Sequence, residues 1–286
     1  MFSKRSDGRV VHNIDPFQKI VPYIMRTRTD SMNYFTENIL CEGMDTYIQQ
    51  KKEVGETYTY LQILVASVVR VMAQKPQLNR FVVRGRVYAR NHIRICFVVH
   101  QTMRDNSAGT TIKLTFQGTE TLAEVAARVE QAVLAETMKK TESNSTDQLA
   151  AKIMNLPSPI IRTAVNSLLW MDRHNMLPKS VIEASPFHTS CFITNMKSLG
   201  INQIYHHVYE FGTTGLFIAM GKERDKPIVD GKDEIVSKKQ VGLGVVTDER
   251  FCDGMYFARA FKLLRRYLGH PELLEKPLEK IEEDVE

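Results

Sequence analysis

The best candidates for catalytic residues lie in the stretch TDERFCDG, residues 247–254. Here an apolar, strand-like run ends and a helix-like run begins. The stretch holds three carboxylates and one arginine in eight residues. A junction of strand and helix is a common place for a site, and here Glu249 and Asp253 would converge on one arginine. The alternative is structural, with Asp253 capping the helix that begins at Gly254 and with Glu249 and Arg250 as solvated turn residues. The residues alone leave both interpretations open.

The elements that must position this stretch are strands and helices in mixed order. Apolar spacing of the helical kind predicts helices over 16–27, 44–53, 58–74, 119–138 and 255–268. Alternating patterns predict strands over 31–41, 110–117, 188–196, 215–222 and 238–250, and a hairpin over 84–101 that turns near Asn91. A polar loop at 139–148 precedes two short apolar helices that break at Pro157 and Pro159. Frequent hairpins among helices favour an α+β layered fold with a mixed sheet over a doubly wound parallel one.

Composition narrows the function classes. The chain has 286 residues, of which 43% are hydrophobic and 25% charged, as in an ordinary soluble globular protein. Its net charge of +5 is spread out, and no basic run is interleaved with aromatics, so nucleic acid is not an expected partner. No 18-residue apolar run or secretory leader is visible, which predicts no transmembrane segment and a cytoplasmic location. Four dispersed cysteines without a C-x-x-C pair predict reduced, partly buried thiols and no metal site.

Two blocks of sequence resemble the catalytic domain of the acyltransferase component of 2-oxo acid dehydrogenase complexes, and so chloramphenicol acetyltransferase. The family's D-H-R-x-x-D-G signature is similar to Asp248–Gly254, which is followed by an apolar helix and HPELLEKP. Its T-I-S-N-L-G-x-x-G motif resembles FITNMKSLG, Phe192–Gly200. The resemblance implies a chloramphenicol-acetyltransferase-like two-layer sandwich. It would form a single domain over 1–286, with a helical insertion at 140–180 and an acidic tail at 276–286.

The family's catalytic base is the histidine of that signature, and Glu249 stands in its place. A glutamate is a weaker base than a histidine at neutral pH, and loss of a general base costs on the order of 10²–10⁴ in rate. The chain would therefore use Glu249, recruit another histidine or not catalyse. His206 and His207 follow the second motif and His188 precedes it, although each is also explained as a hydrogen-bonded structural residue.

The other roles implied by the resemblance fall on named positions. Thr194 occupies the place of the serine whose hydroxyl supports the oxyanion. Asp253 matches the aspartate that pairs with an arginine, for which Arg26 and Arg28 are equal candidates. Gly254 would let the backbone run close at the start of the helix. Arg250 would support the loop.

The resemblance also implies partners and cosubstrates. Coenzyme A or acyl-CoA would be the cosubstrate, and its phosphates or simply solvent would face the basic residues of the last helix, namely Arg259, Lys262 and Arg266. Family members are trimers with each active site at a subunit interface, so a homotrimer is expected. No lipoyl attachment site is recognisable, so any lipoyl or carrier protein would act in trans. The alternatives to an enzyme are an inactive trimeric scaffold or regulator, and a module that docks a partner or a membrane surface through residues 149–178.

Overall fold

The computed structural model describes residues 5–100, 109–138, 155 and 157–285. Within these ranges the helices are α1 (Pro16–Ile24), α2 (Glu42–Glu53), α3 (Tyr60–Gln74), α4 (Leu122–Met138), α5 (Ser158–Arg173), α6 (Lys179–Ala184) and α7 (Gly254–Gly269). The strands are β1 (Gly8–Val10), β2 (Met32–Leu40), β3 (Arg80–Val83), β4 (Arg86–Arg90), β5 (Ile93–His100), β6 (Gly109–Phe116), β7 (Cys191–Asn195), β8 (Leu216–Val229) and β9 (Ile235–Asp248).

A six-stranded mixed sheet carries both of the motifs found in the sequence. Its strand order is β2-β9-β8-β7-β5-β6, and a smaller sheet has the order β1-β4-β3. Strand β7 runs parallel to both β5 and β8, whereas the other neighbours in the large sheet are antiparallel. The α+β architecture with a mixed sheet, predicted from the order of elements, is therefore confirmed.

The main hydrophobic core lies between one face of this sheet and the helices. Ile193, Ile218 and Val245 are fully buried on that face, because alternate side chains of a strand point to the same side. Helix α3 packs against α4, α7 and β5, so most of its side chains are buried. It begins with a capping box in which Thr59 and Gln62 satisfy each other's backbone N–H groups. Truncating a core residue such as Ile218 to alanine would cost about 2–5 kcal/mol.

The opposite face of the sheet carries a second, smaller cluster made of Cys96, Phe192, Val208, Phe217 and Val246. Four of these five residues lie on strands, and Val208 belongs to the irregular segment that follows β7. All four cysteines of the chain, Cys41, Cys96, Cys191 and Cys252, are buried and free. The predicted burial of the thiols is confirmed, and it is complete and not partial.

The predicted hairpin around Asn91 is wrong. Strand β4 pairs with β1 and β3, whereas β5 pairs with β6 and β7 in the other sheet. The tight hairpin lies one strand earlier, between β3 and β4. Arg84 and Gly85 both have positive φ angles there, of 50° and 73°, which suit a two-residue turn of the kind that joins twisted strands.

The insertion after α4 is only partly described. The polar loop at 139–148 and the first of the two predicted helices lie outside the described residues, apart from Asn155. The break predicted at Pro159 is wrong, because this proline stands in the first turn of α5, where its missing N–H costs nothing. Helix α5 is mostly exposed, but Asp172 near its end is buried and ties it to the domain. The Asp172 carboxylate accepts hydrogen bonds from Arg5 and from the backbone N–H of Gly212.

Strands β8 and β9 extend beyond the predicted ranges, to 14 residues each. Asp230 makes the turn between them, since its Oδ1 accepts from the N–H groups of Lys232 and Glu234 at 2.8 and 3.0 Å. The tip of this long hairpin projects from the sheet, and Val229 and Ile235 are exposed there.

Candidate functional site

The candidate site lies where β9 ends, and its centre is a buried ion cluster around Asp248. This carboxylate is 1% exposed. It accepts from Arg250 Nε at 2.9 Å and Nη2 at 2.7 Å, and from the Ser31 hydroxyl at 3.0 Å. Arg28 Nε lies 3.6 Å from the second carboxylate oxygen. Burial by itself would raise the pKa of Asp248, but the hydrogen bonds and charge of Arg250, together with Arg28, hold that pKa below its ordinary value.

Glu249 points the opposite way, because successive residues at a strand end face opposite sides. Its side chain is exposed, and Oε2 accepts from Asn33 Nδ2 at 2.9 Å. Its backbone N–H donates to the carbonyl of Ser31 at 2.9 Å. On its other side, the N–H of Arg250 donates to Asp248 Oδ1 at 3.1 Å. The backbone that carries Glu249 is therefore held on both sides while its carboxylate faces solvent.

The pairing expected between Asp253 and an arginine is wrong. Asp253 is exposed and caps α7, where Oδ1 accepts from the N–H of Tyr256 at 2.7 Å. The arginine-bound aspartate is Asp248, and its partners are Arg28 and Arg250. Of the two candidate arginines, Arg28 is buried, with Nη1 donating to the carbonyl of Tyr209 at 2.7 Å. Arg26 is exposed and forms no ion pair within the described ranges.

The expected role of Gly254 is also wrong. A Cβ atom added at this position would meet nothing within 4 Å, so no backbone approaches the start of α7 closely. The helix begins at the surface, and its cap is supplied by Asp253 instead.

Thr194 lies on β7 in a cross-strand row with Ala219, Gly244 and Thr36. The row belongs to the sheet face that carries Phe192, away from the main core. Glu249 follows Gly244 by five residues, which is roughly 17 Å along the strand, and Thr194 is two strands further across. Thr194 and Glu249 of one chain are therefore not within contact distance of each other.

An irregular segment, residues 201–209, crosses this face of the sheet over glycines. A Cβ atom on Gly244 would lie 2.1 Å from the carbonyl oxygen of Ile204, and one on Gly221 would lie 2.2 Å from the N atom of Gln203. The sheet thus accepts the segment only because side chains are missing at these positions.

The two histidines proposed as substitute bases lie on that segment. His206 is half-buried and stacks on Phe217, with ring centroids 4.2 Å apart and planes 5° apart. Its Nδ1 is 2.9 Å from the carbonyl oxygen of His207, and the exposed ring of His207 meets the edge of Tyr209. These contacts give both rings a packing role.

His188 belongs to a separate buried cluster. Its Nε2 lies 3.2 Å from Asp172 Oδ1 and its Nδ1 lies 2.9 Å from Ser185 Oγ. Burial lowers the pKa of His188, although Asp172 opposes that effect. Burial would raise the pKa of Asp172, but His188 and Arg5 hold it below its ordinary value. The cluster fastens α5 to the sheet and is remote from Glu249 in the sequence.

Sequence reasoning missed Asp248, Ser31 and Asn33 as members of the site. Asp248 could have been found from its position, since it ends an unbroken apolar run, and a charge there must be buried and paired. Ser31 and Asn33 carry no such signal, because only the pairing of β2 with β9 brings them to the loop.

Two further properties of the chain bear on the class of site. Among the described residues, no group of three or more histidine, cysteine, aspartate or glutamate side chains is arranged to hold a metal ion. Across the same part of the chain, every helix is too short or too polar to cross a bilayer.

The fold defined by this sheet and its helices is that of the catalytic acyltransferase domain of 2-oxo acid dehydrogenase complexes and of chloramphenicol acetyltransferase. A probable dihydrolipoamide acetyltransferase from Listeria monocytogenes matches with a TM-score of 0.57 at 12% identity, over 90% of this chain and 93% of its own. The cubic core of the pyruvate dehydrogenase multienzyme complex matches with a TM-score of 0.57 at 12% identity, over 93% and 94%. A chloramphenicol acetyltransferase matches with a TM-score of 0.55 at 10% identity, over 91% and 99%.

The sequence itself matches no protein-family model and no curated protein. The structural likeness confirms the fold that the two sequence motifs predicted.

Proposed function

We propose that this protein is a coenzyme A-dependent acyltransferase in which Glu249 replaces the usual histidine base. The observation that carries the proposal is the geometry at the end of β9. A buried Asp248–Arg250 pair fixes the loop, and Glu249 is presented to solvent beside it. The shared fold with acyltransferases supports the same reaction class.

In the proposed reaction, the Glu249 carboxylate takes the proton of an acceptor thiol, hydroxyl or amine. The acceptor then attacks the thioester carbonyl carbon of acyl-CoA, and the Thr194 hydroxyl donates a hydrogen bond to the resulting oxyanion. Collapse of this intermediate breaks the carbon–sulfur bond, and the proton passes from Glu249 to the departing thiolate of coenzyme A. A lipoyl or carrier protein is one acceptor that would fit.

The separation of Glu249 and Thr194 within one chain supports a site shared between subunits. We propose a homotrimer in which Thr194 of one subunit faces Glu249 of the next. Sedimentation equilibrium should then show three copies. Mixing an inactive Glu249→Gln chain with an inactive Thr194→Val chain should restore part of the activity, because some interfaces in the mixed trimers would be intact.

The activity test compares acyl transfer by wild type and Glu249→Gln, followed as release of free coenzyme A thiol. Because loss of a general base costs on the order of 10²–10⁴ in rate, kcat should fall by that factor. Thr194→Val should cost about 10²–10³. The matched control is Asp253→Asn, which makes the same chemical change at the helix cap and should leave transfer intact. Equal rates for wild type and Glu249→Gln would contradict the proposed base and favour a catalytically inactive scaffold.

A second candidate function is the docking of a partner protein through α5. Ile160, Val165 and Trp170 of this 16-residue helix are 50%, 41% and 52% exposed, so the domain leaves part of its apolar surface uncovered. Ile160→Ser/Val165→Ser should then abolish co-purification of the partner without changing the melting temperature. Retention of the partner by this variant would contradict docking through α5.

A further inference from the structure

A groove of 1130 Å³ runs along α7, and none of the residues assigned to the proposed reaction lines it. Helix α7 forms one wall, the turn after α3 forms the floor, and the C-terminal residues 280–285 form the other wall. From Tyr256 to His270 the groove follows the helix for about 21 Å, at 1.5 Å per residue. This volume lies slightly above the range of roughly 300–1,000 Å³ typical of pockets that hold drug-sized ligands and cofactors.

The groove is lined by basic side chains that lack acidic partners. Within the described ranges, no carboxylate lies within ion-pair distance of the five cations Lys75, Arg259, Lys262, Arg266 and Lys280. By contrast, Arg265, which also lines this groove, binds Glu37, and outside the groove Lys51 binds Glu275 at 2.8 Å. The unpaired cations of α7 lie three, four and seven residues apart, so they share one face of the helix.

The acidic tail does not neutralise this charge. Asp284 is engaged elsewhere, because its two carboxylate oxygens accept from Arg80 at 2.6 and 2.7 Å. Among the described tail residues that line the groove, this leaves the carboxylates of Glu282 and Glu283 to oppose the five cations. The tail is also a fixed wall, since the N–H of Glu282 donates to the carbonyl of Ala73 and Arg9 donates to the carbonyl of Asp284.

The groove also has apolar and aromatic surface. Tyr256, Leu263 and Pro76 line it. The Tyr256 ring is held in place, because its hydroxyl accepts from the N–H of Gln77 at 3.2 Å and Lys75 lies 5.9 Å from the ring centroid. An aromatic ring beside a row of cations suits a base with attached phosphates, since the base stacks while the phosphates meet the guanidinium and ammonium groups.

We infer that this groove binds a nucleotide that carries two or more phosphate groups. Arg259, Lys262 and Arg266 would hold the phosphates, and Tyr256 would contact the base. Two sources share this chemistry, namely the nucleotide end of coenzyme A and a free nucleotide such as ATP. Coenzyme A as the ligand rests on the proposed function. The assignment of the groove as a nucleotide site does not depend on it.

The test is isothermal titration calorimetry of the full chain with adenosine 3′,5′-bisphosphate, coenzyme A, ATP and unphosphorylated adenosine. The phosphorylated probes should bind and adenosine should not. Because each charge-assisted contact is worth roughly tenfold in affinity, Lys262→Ala/Arg266→Ala should weaken binding about 100-fold. The matched control Lys52→Ala/Arg86→Ala removes the same two charges from exposed positions outside the groove and should bind as wild type does.

The probes separate the two sources. Competition between coenzyme A and the bisphosphate would identify the nucleotide end of coenzyme A, whereas binding of ATP without coenzyme A would identify a free nucleotide. Unchanged affinity in Lys262→Ala/Arg266→Ala would overturn the groove as the site, and so would failure of every phosphorylated probe to bind at 1 mM, roughly the weakest affinity expected of a specific site. The proposed function is judged separately with Glu249→Gln, which should abolish acyl transfer and leave nucleotide affinity unchanged.

Discussion

Replacing Asp248 by asparagine should destabilise the protein far more than its modest change in shape suggests. The native carboxylate is 1% exposed and stands between two buried arginines, Arg28 and Arg250. Asparagine keeps the volume but removes the negative charge, so two cations are left buried beside each other. Breaking a buried ion pair in this way costs about 3–5 kcal/mol. At about 2 °C per kcal/mol for a chain of this length, the melting temperature should fall by roughly 6–10 °C.

The measurement is urea denaturation of wild type and Asp248→Asn at pH 7, followed by circular dichroism. Asp253→Asn is the matched control, because it makes the same substitution five residues away at an exposed helix cap that asparagine also serves. The urea midpoint of Asp253→Asn should equal that of wild type. Asp248→Leu/Arg250→Met should recover part of the loss, since it removes one of the cations together with the carboxylate. A midpoint for Asp248→Asn equal to that of wild type would refute the ion-cluster reasoning.

The dependence on pH follows from the same cluster. The pKa of Asp248 in the folded protein lies below its ordinary value of 3.8. A carboxyl group of this kind adds stability above its unfolded pKa and loses it as the pH falls through the folded pKa. The difference in unfolding free energy between wild type and Asp248→Asn should therefore have its full size at pH 7 and begin to decrease only below about pH 3.8. If this difference disappeared near pH 6, a group other than Asp248 would be responsible for the pH dependence.

Four further substitutions test the surroundings of the site by chemical denaturation. Asp253→Ala should cost about 1 kcal/mol through loss of the cap, whereas Gly254→Ala should be neutral or stabilise by up to about 1 kcal/mol, since the position is open and helical. Gly244→Ala should cost about 1–3 kcal/mol and speed proteolysis of residues 201–209, because the new methyl group would displace the Ile204 carbonyl. Asp172→Asn should cost about 1–3 kcal/mol and loosen α5, because it removes one of the two carboxylates that pair with buried Arg5 and leaves only Asp7. An unchanged denaturation midpoint in Asp253→Ala, Gly244→Ala or Asp172→Asn would contradict the corresponding contact, whereas a lowered midpoint in Gly254→Ala would contradict the open position.

Much of the fold follows from apolar periodicity. Strand β9 reads as a largely apolar run that ends in Asp248, and α3 reads as an apolar helix, so both were predicted near their observed ranges. Sheet membership did not follow from the sequence. The residues around Asn91 have a turn composition, but pairing is decided by tertiary contacts, and β4 and β5 join different sheets.

The sequence predicted the place of the candidate site, at the end of β9, but the predicted pairing of aspartate with arginine was wrong. Sequence reasoning placed Glu249 at the centre and named Arg28 as one candidate partner. It then assigned that arginine to Asp253, since the motif alone cannot say which of two aspartates is buried. The difference is decided by position, because Asp248 is the last residue inside the strand and Asp253 is the first outside the helix. The cap of α7 lies at the surface, whereas the end of β9 is buried in the sheet.

The cost of the Asp248 cluster bears on whether the site is used. Buried ion pairs are often no more stable than apolar side chains of the same volume, so stability alone gives little reason to bury three charges here. Their geometric effect is specific, since the cluster and the Ser31 carbonyl hold the backbone on both sides of Glu249. A preorganised carboxylate is what a general base requires and what a scaffold does not. The two roles are separable by mutation. Asp248→Asn should lower both stability and transfer, while Glu249→Gln should lower transfer alone, and a scaffold would show only the first effect.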